Sequence, residues 1–291
     1  MTEVVRLASD ALEVELLPEI GCRLHRLRAF GTDLLRTPAD PAAHRDSPFF
    51  WGAYVLAPWT NRATAGPMPI AGRQAQLTAN FPDGTAIHGH VYDRPWERTG
   101  EGSFAVDHDG GGWPWAYRVS VDAGLVGARL TLRYALENRS DAPMPGGLGL
   151  HPWFVRPVEV ALDGRAVHPR NDDPSAAAVP ATGDWALVGD GSVPIGVDAT
   201  WLDVDPGRIR LHWPSTGRTL LIGARTSASA LHVAVASPEQ PEAAAVEPVT
   251  HAPWALDRRA RGEAGGMDLL APGDRLELVV NLIVGGSERP A

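Results

Sequence analysis

Side chains able to move protons or hold hydroxyl groups concentrate in four short stretches of the 291-residue chain, each set among Gly, Pro and Trp. Residues 56–62 end in Asn61-Arg62 after Trp59, and residues 87–96 carry His88 and His90. Residues 146–154 carry His151, and residues 246–256 carry Glu247 followed by Pro248. A proline beside a charged residue narrows the backbone's freedom and so fixes where the side chain points. Tryptophan among polar groups suits a sugar, whose C–H faces stack on aromatic surfaces while its hydroxyls need hydrogen bonds. His88-Gly89-His90 also has the spacing of metal ligands on one side of a strand, but no third ligand clusters with it, so no metal is expected. Taken singly, each stretch has a plain structural reading: a loop histidine, a Glu-Pro loop, an Asn-Arg surface turn.

The elements that must position these groups read as strands. Residues 12–17, 128–137, 208–213, 219–224 and 275–284 alternate apolar and polar side chains, as half-buried strands do. Residues 231–236 are more continuously apolar and read as a buried strand. With 31 Gly and 26 Pro, turns punctuate the whole length, and stretches at helical spacing are hard to find. Short strands and frequent turns indicate an all-β sandwich or barrel. Residues 171–191 and 239–245 read as a surface excursion and a loop. No linker, repeat or low-complexity tract divides the chain, so residues 1–291 are expected to form a single domain.

Composition excludes several chemistries. Lysine is absent, which removes a Schiff-base lysine and a P-loop lysine together. Cys22 is the only cysteine, so neither an intrachain disulfide nor a cysteine metal cluster can form. A net charge of −9 disfavours nonspecific nucleic-acid binding, and a neutral small molecule is the expected partner. No apolar run is long enough for a membrane span, and no signal-peptide pattern is visible, so the expected location is cytoplasmic. There is no GxSxG elbow and no dinucleotide or phosphate-loop fingerprint.

The four stretches, in this order, resemble the aldose 1-epimerase (galactose mutarotase-like) family. The likeness runs from Leu17-Pro18-Glu19-Ile20-Gly21 to the terminal strand and is strongest in LAPWTNR, IHGHV, PMPGGLGLHPWF and VEPVTHAPWAL. It implies a large antiparallel β-sandwich, the galactose mutarotase-like supersandwich, with an open sugar cleft and no cofactor. It also implies that Glu247 is the general base, His151 the general acid and His88 an assisting histidine. Arg62, with Asn61 beside it, and Asp198 would hold sugar hydroxyls, and the stacking surface would come from Trp59, Trp153 or Trp254. The first histidine is followed by Gly-His rather than two glycines, a departure that leaves the particular aldose open.

The implied reaction interconverts anomers by ring opening, rotation about C1–C2 and reclosure. One group takes the C1 hydroxyl proton while another protonates the ring oxygen. Glu247 is expected to face the C1 hydroxyl and protonated His151 the ring oxygen, with His151 close to its ordinary pKa and no deep perturbation needed. Two alternatives carry different expectations. A hexose-6-phosphate epimerase would need a basic pocket, for which Arg62, Arg73 and Arg94 are candidates. A noncatalytic carbohydrate-binding or sensing protein would bind without exchanging anomers. The oligomeric state is not written in the sequence.

Overall fold

A computed structural model of the chain describes residues 2–187, 191, 193–205, 209–263 and 266–286. Two antiparallel sheets dominate it. The larger, of eleven strands, runs Val5–Ala8, Leu12–Leu17, Arg23–Ala29, Ala53–Leu56, Gly149–Val155, Ala243–Val249, His232–Ser237, Val197–Leu202, Ala166–His168 and Val179–Pro180, with Thr32–Asp33 paired onto Arg23–Ala29. The smaller, of eight strands, runs Glu97–Gly100, Ser103–Asp109, Ala116–Val126, Arg129–Asn138, Arg275–Gly285, Arg218–Thr226, Ile209–Trp213 and Glu159–Ala161. One apolar cluster draws on both, for example Leu12, Leu24 and Val55 from the larger and Leu130, Leu132 and Leu278 from the smaller. The architecture is the all-β sandwich that the resemblance implied, one of the two forms left open by the alternation.

The strands read from alternation appear within a residue or two of their expected bounds; Arg208, placed in one of them, lies outside the described residues. Two loop readings need correction. Residues 243–245 of the expected loop belong to the strand Ala243–Val249, every residue of which is buried. Its alanines are small because this central strand packs between neighbours on both sides, which hides the alternation a half-buried strand would show. Asn171, read as the start of a surface excursion, is 1% exposed. The remainder of that segment is largely exposed, and its residues 188–190 lie outside the described set.

The one α-helix among the described residues, Ala255–Ala260, has a single turn and a half and caps the end of the VEPVTHAPWAL stretch. No described helix is long and apolar enough to cross a membrane.

Candidate active site

The register of the large sheet decides the centre of the site. Gly149 pairs with Val249 and Trp153 with Ala245, so His151 and Glu247 fall midway on adjacent antiparallel strands and project to the same face. His151 Nε2 stands 3.2 Å from Glu247 Oε1, and both side chains are almost wholly buried. On the other side His151 is in register with Tyr54, whose ring stacks on the imidazole at 4.7 Å.

His88 reaches the same place by a strained route. It sits at φ +64° and is followed by Gly89 at +74°, consecutive left-handed residues that turn the chain sharply. The turn is pinned to the LAPWTNR stretch: His88 N–H donates to the Asn61 carbonyl at 3.1 Å and His90 N–H to the Ala57 carbonyl at 2.8 Å. A Cβ at position 89 would stand 1.8 Å from the Ala57 carbonyl oxygen, so only glycine fits. The result brings the His88 ring edge-on to His151 at 5.1 Å. His90 leaves in another direction and stacks on His108 at 4.9 Å, with Trp59 against its edge. The two histidines of the HxH pair therefore serve different surroundings.

Together these groups line a cavity of about 350 Å³. Asn61, Arg62, Asn171 and Asp198 supply further polar wall, and Phe49, Phe50, Phe81, Ile87, Val197 and Pro238 supply apolar wall. Arg62 is held between two carboxylates, Asp83 at 2.8 Å and Asp198 at 3.2 Å. Asp198 is fixed in turn by the Asn171 amide at 2.9 Å. Asn61, at φ +55°, accepts the Arg62 backbone N–H on its side-chain oxygen. Of the three candidate tryptophans only Trp153 lines the cavity, its indole N–H donated to the Phe49 carbonyl. Trp59 packs in the core against Trp113, and Trp254 donates its N–H to the Asn171 carbonyl from outside the cavity.

Glu247, His151, His88, Asn61, Arg62, Asp198 and Trp153 thus converge here, whereas Tyr54, Asp83, Asn171 and the three phenylalanines gave no signal in advance. Tyr54 lies in an apolar strand and Asn171 in a polar segment; each matters only through contacts far away in sequence. Arg73 and Arg94 are elsewhere. Arg73 donates to the Pro114 carbonyl and pairs with Asp141, and Arg94 lines a separate cavity behind His90.

Burial changes the expected electrostatics. Desolvation pushes the Glu247 carboxyl well above its ordinary range; Asp198 adds to this and Arg62 opposes it. Desolvation likewise drives His151 down to about 3, its own backbone opposing this and Arg23 adding to it. His88 is driven well below its ordinary value by burial, then by His151 and Arg62. His151 is therefore not an imidazole near its ordinary pKa. The 3.2 Å separation would suit an ion pair, but both shifts point to neutral partners. Removing two charges from water costs several kcal/mol per ion, more than one contact returns, so the neutral pair is favoured. A protonated Glu247 beside a neutral His151 holds the same single proton as the ion pair, moved by one hydrogen-bond length.

Residues 3–281 match the family model described as aldose 1-epimerase. The chain belongs to that family. Among curated proteins it is similar to the uncharacterized Escherichia coli K12 protein YphB, 24% identical over 233 residues, covering 76% of this chain and 79% of YphB. Among solved structures, a galactose mutarotase-like protein of Clostridium acetobutylicum superposes with a TM-score of 0.83 at 16% identity, covering 98% of this chain and 96% of the other. Galactose 1-epimerase from Lactobacillus acidophilus superposes with a TM-score of 0.74 at 15% identity, over 98% and 94%. At such identities these likenesses establish the fold.

Proposed function

We propose that this epimerase-family chain, acting as one domain over residues 1–291, is an aldose 1-epimerase that interconverts the anomers of a free, unphosphorylated aldose. The observation that carries the reading is the 3.2 Å approach of His151 to Glu247 in the wall of a cavity of about 350 Å³. In a cyclic aldose the C1 hydroxyl and the ring oxygen hang from the same carbon. Two adjacent groups sharing one proton can serve both oxygens. Glu247, as carboxylate, takes the C1 hydroxyl proton as the C1–ring-oxygen bond breaks, and His151 delivers its proton to the ring oxygen. The open aldehyde rotates about C1–C2 and recloses with the proton movements reversed. A substrate hydroxyl entering between them favours the charged form of the pair, because it hydrogen-bonds Glu247 where water would otherwise be excluded. His88 holds a neighbouring oxygen, Asn61, Arg62 and Asp198 anchor the far hydroxyls, and Trp153 with the phenylalanines packs the C–H face.

The charge of the wall supports the unphosphorylated substrate. Among the described residues its single arginine, Arg62, already lies between Asp83 and Asp198, and Glu247 is a further acidic group, so a phosphate dianion would meet no uncommitted cation among them. The test is anomer exchange followed by NMR over a panel of free aldoses and their 6-phosphates in dilute buffer. Acceleration for free sugars is expected. Acceleration confined to 6-phosphates would shift the assignment to the phosphate class, and binding without exchange would make the protein a sugar sensor.

A further inference from the structure

On the far side of Tyr54 from solvent lies a buried cation that the proton-transfer scheme does not use. Arg23 opens the strand Arg23–Ala29 and is 1% exposed. Its guanidinium carbon is 5.1 Å from the centroid of the Tyr54 ring, and the same ring stacks on His151 at 4.7 Å. Its hydrogen-bond partners are neutral: the carbonyls of Ile20, Pro48 and Tyr92 at 3.1, 2.9 and 2.7 Å, and Nδ1 of His44 at 3.2 Å. A lone buried cation costs stability that an apolar residue of similar volume would not. Arginine nevertheless keeps its charge here, since burial lowers it only to about 10.

The contacts have a direction. A guanidinium only donates, so His44 receives at Nδ1 and carries its proton on Nε2. That nitrogen is 2.9 Å from Nδ1 of His25, which leaves the His25 proton on Nε2, 3.8 Å from Glu15. The chain of donors runs one way from Arg23 towards the half-buried Glu15 carboxylate and locks the guanidinium in place. Two of the carbonyls it grips adjoin segments that form the site. Pro48 precedes Phe49 and Phe50, and the Phe49 carbonyl accepts from both Tyr54 and Trp153. Tyr92 follows His90 by two residues, just beyond the turn that carries His88.

The titratable and charged groups around His151 are Glu247, Tyr54 and His88 in contact, with Arg62 and Asp198 further along the cavity. Arg62 is offset by its two carboxylates. Among the described residues Arg23 has no carboxylate in hydrogen-bonding contact; Asp93 acts on it only through space.

We propose that Arg23 is a positioning residue of the active site, clamping the 48–50 wall to the histidine turn and placing behind Tyr54 a fixed positive charge that adds to burial in disfavouring the imidazolium of His151. This rests on the catalytic pair proposed above, but its test does not depend on turnover. The imidazole nitrogens of ¹⁵N-histidine-labelled protein are followed by NMR from pH 8 downwards in the wild type, Arg23→Met and Arg23→Lys. His151 is expected to be neutral in the wild type at pH 6. Its titration should move up by about one pH unit in Arg23→Met, while Arg23→Lys, which keeps the charge, stays with the wild type. Identical His151 titration in folded Arg23→Met and wild type would overturn the proposal, as would Arg23→Lys following Arg23→Met. Should Arg23→Met not fold, an imidazolium His151 in the wild type at pH 6 would overturn it alone. An inactive protein with the expected shifts would fault the epimerase reading and leave Arg23's role standing.

Discussion

The two sheets obey different rules. In the eight-stranded sheet, Arg129–Asn138 and Arg275–Gly285 alternate between buried and exposed along much of their length, so one face meets the core and the other meets water. At the centre of the eleven-stranded sheet, Ala53–Leu56 and Ala243–Val249 are buried at every position and Gly149–Val155 at all but the last. There the face turned away from the core is roofed by the turns that bear Phe49, His88 and Asn171. A polar group on a half-exposed strand keeps its water. On a roofed strand it loses its water, and its protonation is then set by burial and by neighbours such as Arg23 and Asp198. The proposed proton-transfer pair stands on the roofed strands.

Four experiments would break or sharpen this contrast. The largest effect on stability is expected from Leu278→Ala in the eight-stranded sheet, which empties a fully buried position and should cost about 2–5 kcal/mol in chemical unfolding. Anomer exchange per folded molecule should stay as in the wild type; a loss of exchange would show that the small sheet does more than support.

Gly89→Ala and Gly127→Ala form a second comparison, since both glycines have positive φ. The first would drive a Cβ into the Ala57 carbonyl, whereas the second meets nothing within 4 Å. The expected costs are about 3 kcal/mol or more for Gly89, with loss of exchange, and about 1 kcal/mol for Gly127. Equal costs would contradict the pinned turn.

The third concerns pH. Burial depresses His44 to about 2, His90 and His151 to about 3, His251 to about 4, and His88 well below its ordinary value. In each case the unfolded chain binds a proton first. Their contribution is fully present above pH ~6.5 and is lost as the pH falls towards those lower values, by up to about 1.4 kcal/mol per pH unit per histidine. Glu247, raised in the fold, acts the other way: its contribution is present at low pH and is lost as the pH rises through its folded value. Urea midpoints should therefore fall from pH 7 to pH 5, and less steeply in His90→Phe; a flat profile would contradict neutral buried imidazoles.

The smallest effect is expected for Asp83→Asn, which frees Arg62 on one side at a partly exposed position. A few-fold rise in KM with little change in kcat is the expected outcome, because an exposed pair is worth ~1 kcal/mol or less. A large fall in kcat would place Arg62 closer to the reacting atoms.

The same contrast explains what could be read from the sequence. Strands with one wet face announce themselves by alternation, which is why residues 128–137 and 275–284 were legible. Ala243–Val249 has no wet face, and its first three residues passed for loop. His151, Glu247 and His88 were legible as motif residues, while their pKa values were not, because the roof is assembled from residues far apart in sequence. Nothing in the sequence singled out Arg23; its burial depends on His44, Pro48 and Tyr92 closing over it.

The central claim is that His151 and Glu247 act as one proton-holding unit. Its most direct test is the anomer exchange rate of the preferred free aldose, measured by NMR for Glu247→Gln, His151→Asn and the double variant, with folding checked for each. Groups acting as a unit are not additive, so each single variant should lose about 10²–10⁴-fold and the double should lose little more. Wild-type exchange in folded Glu247→Gln, or losses that simply multiply in the double variant, would contradict the account.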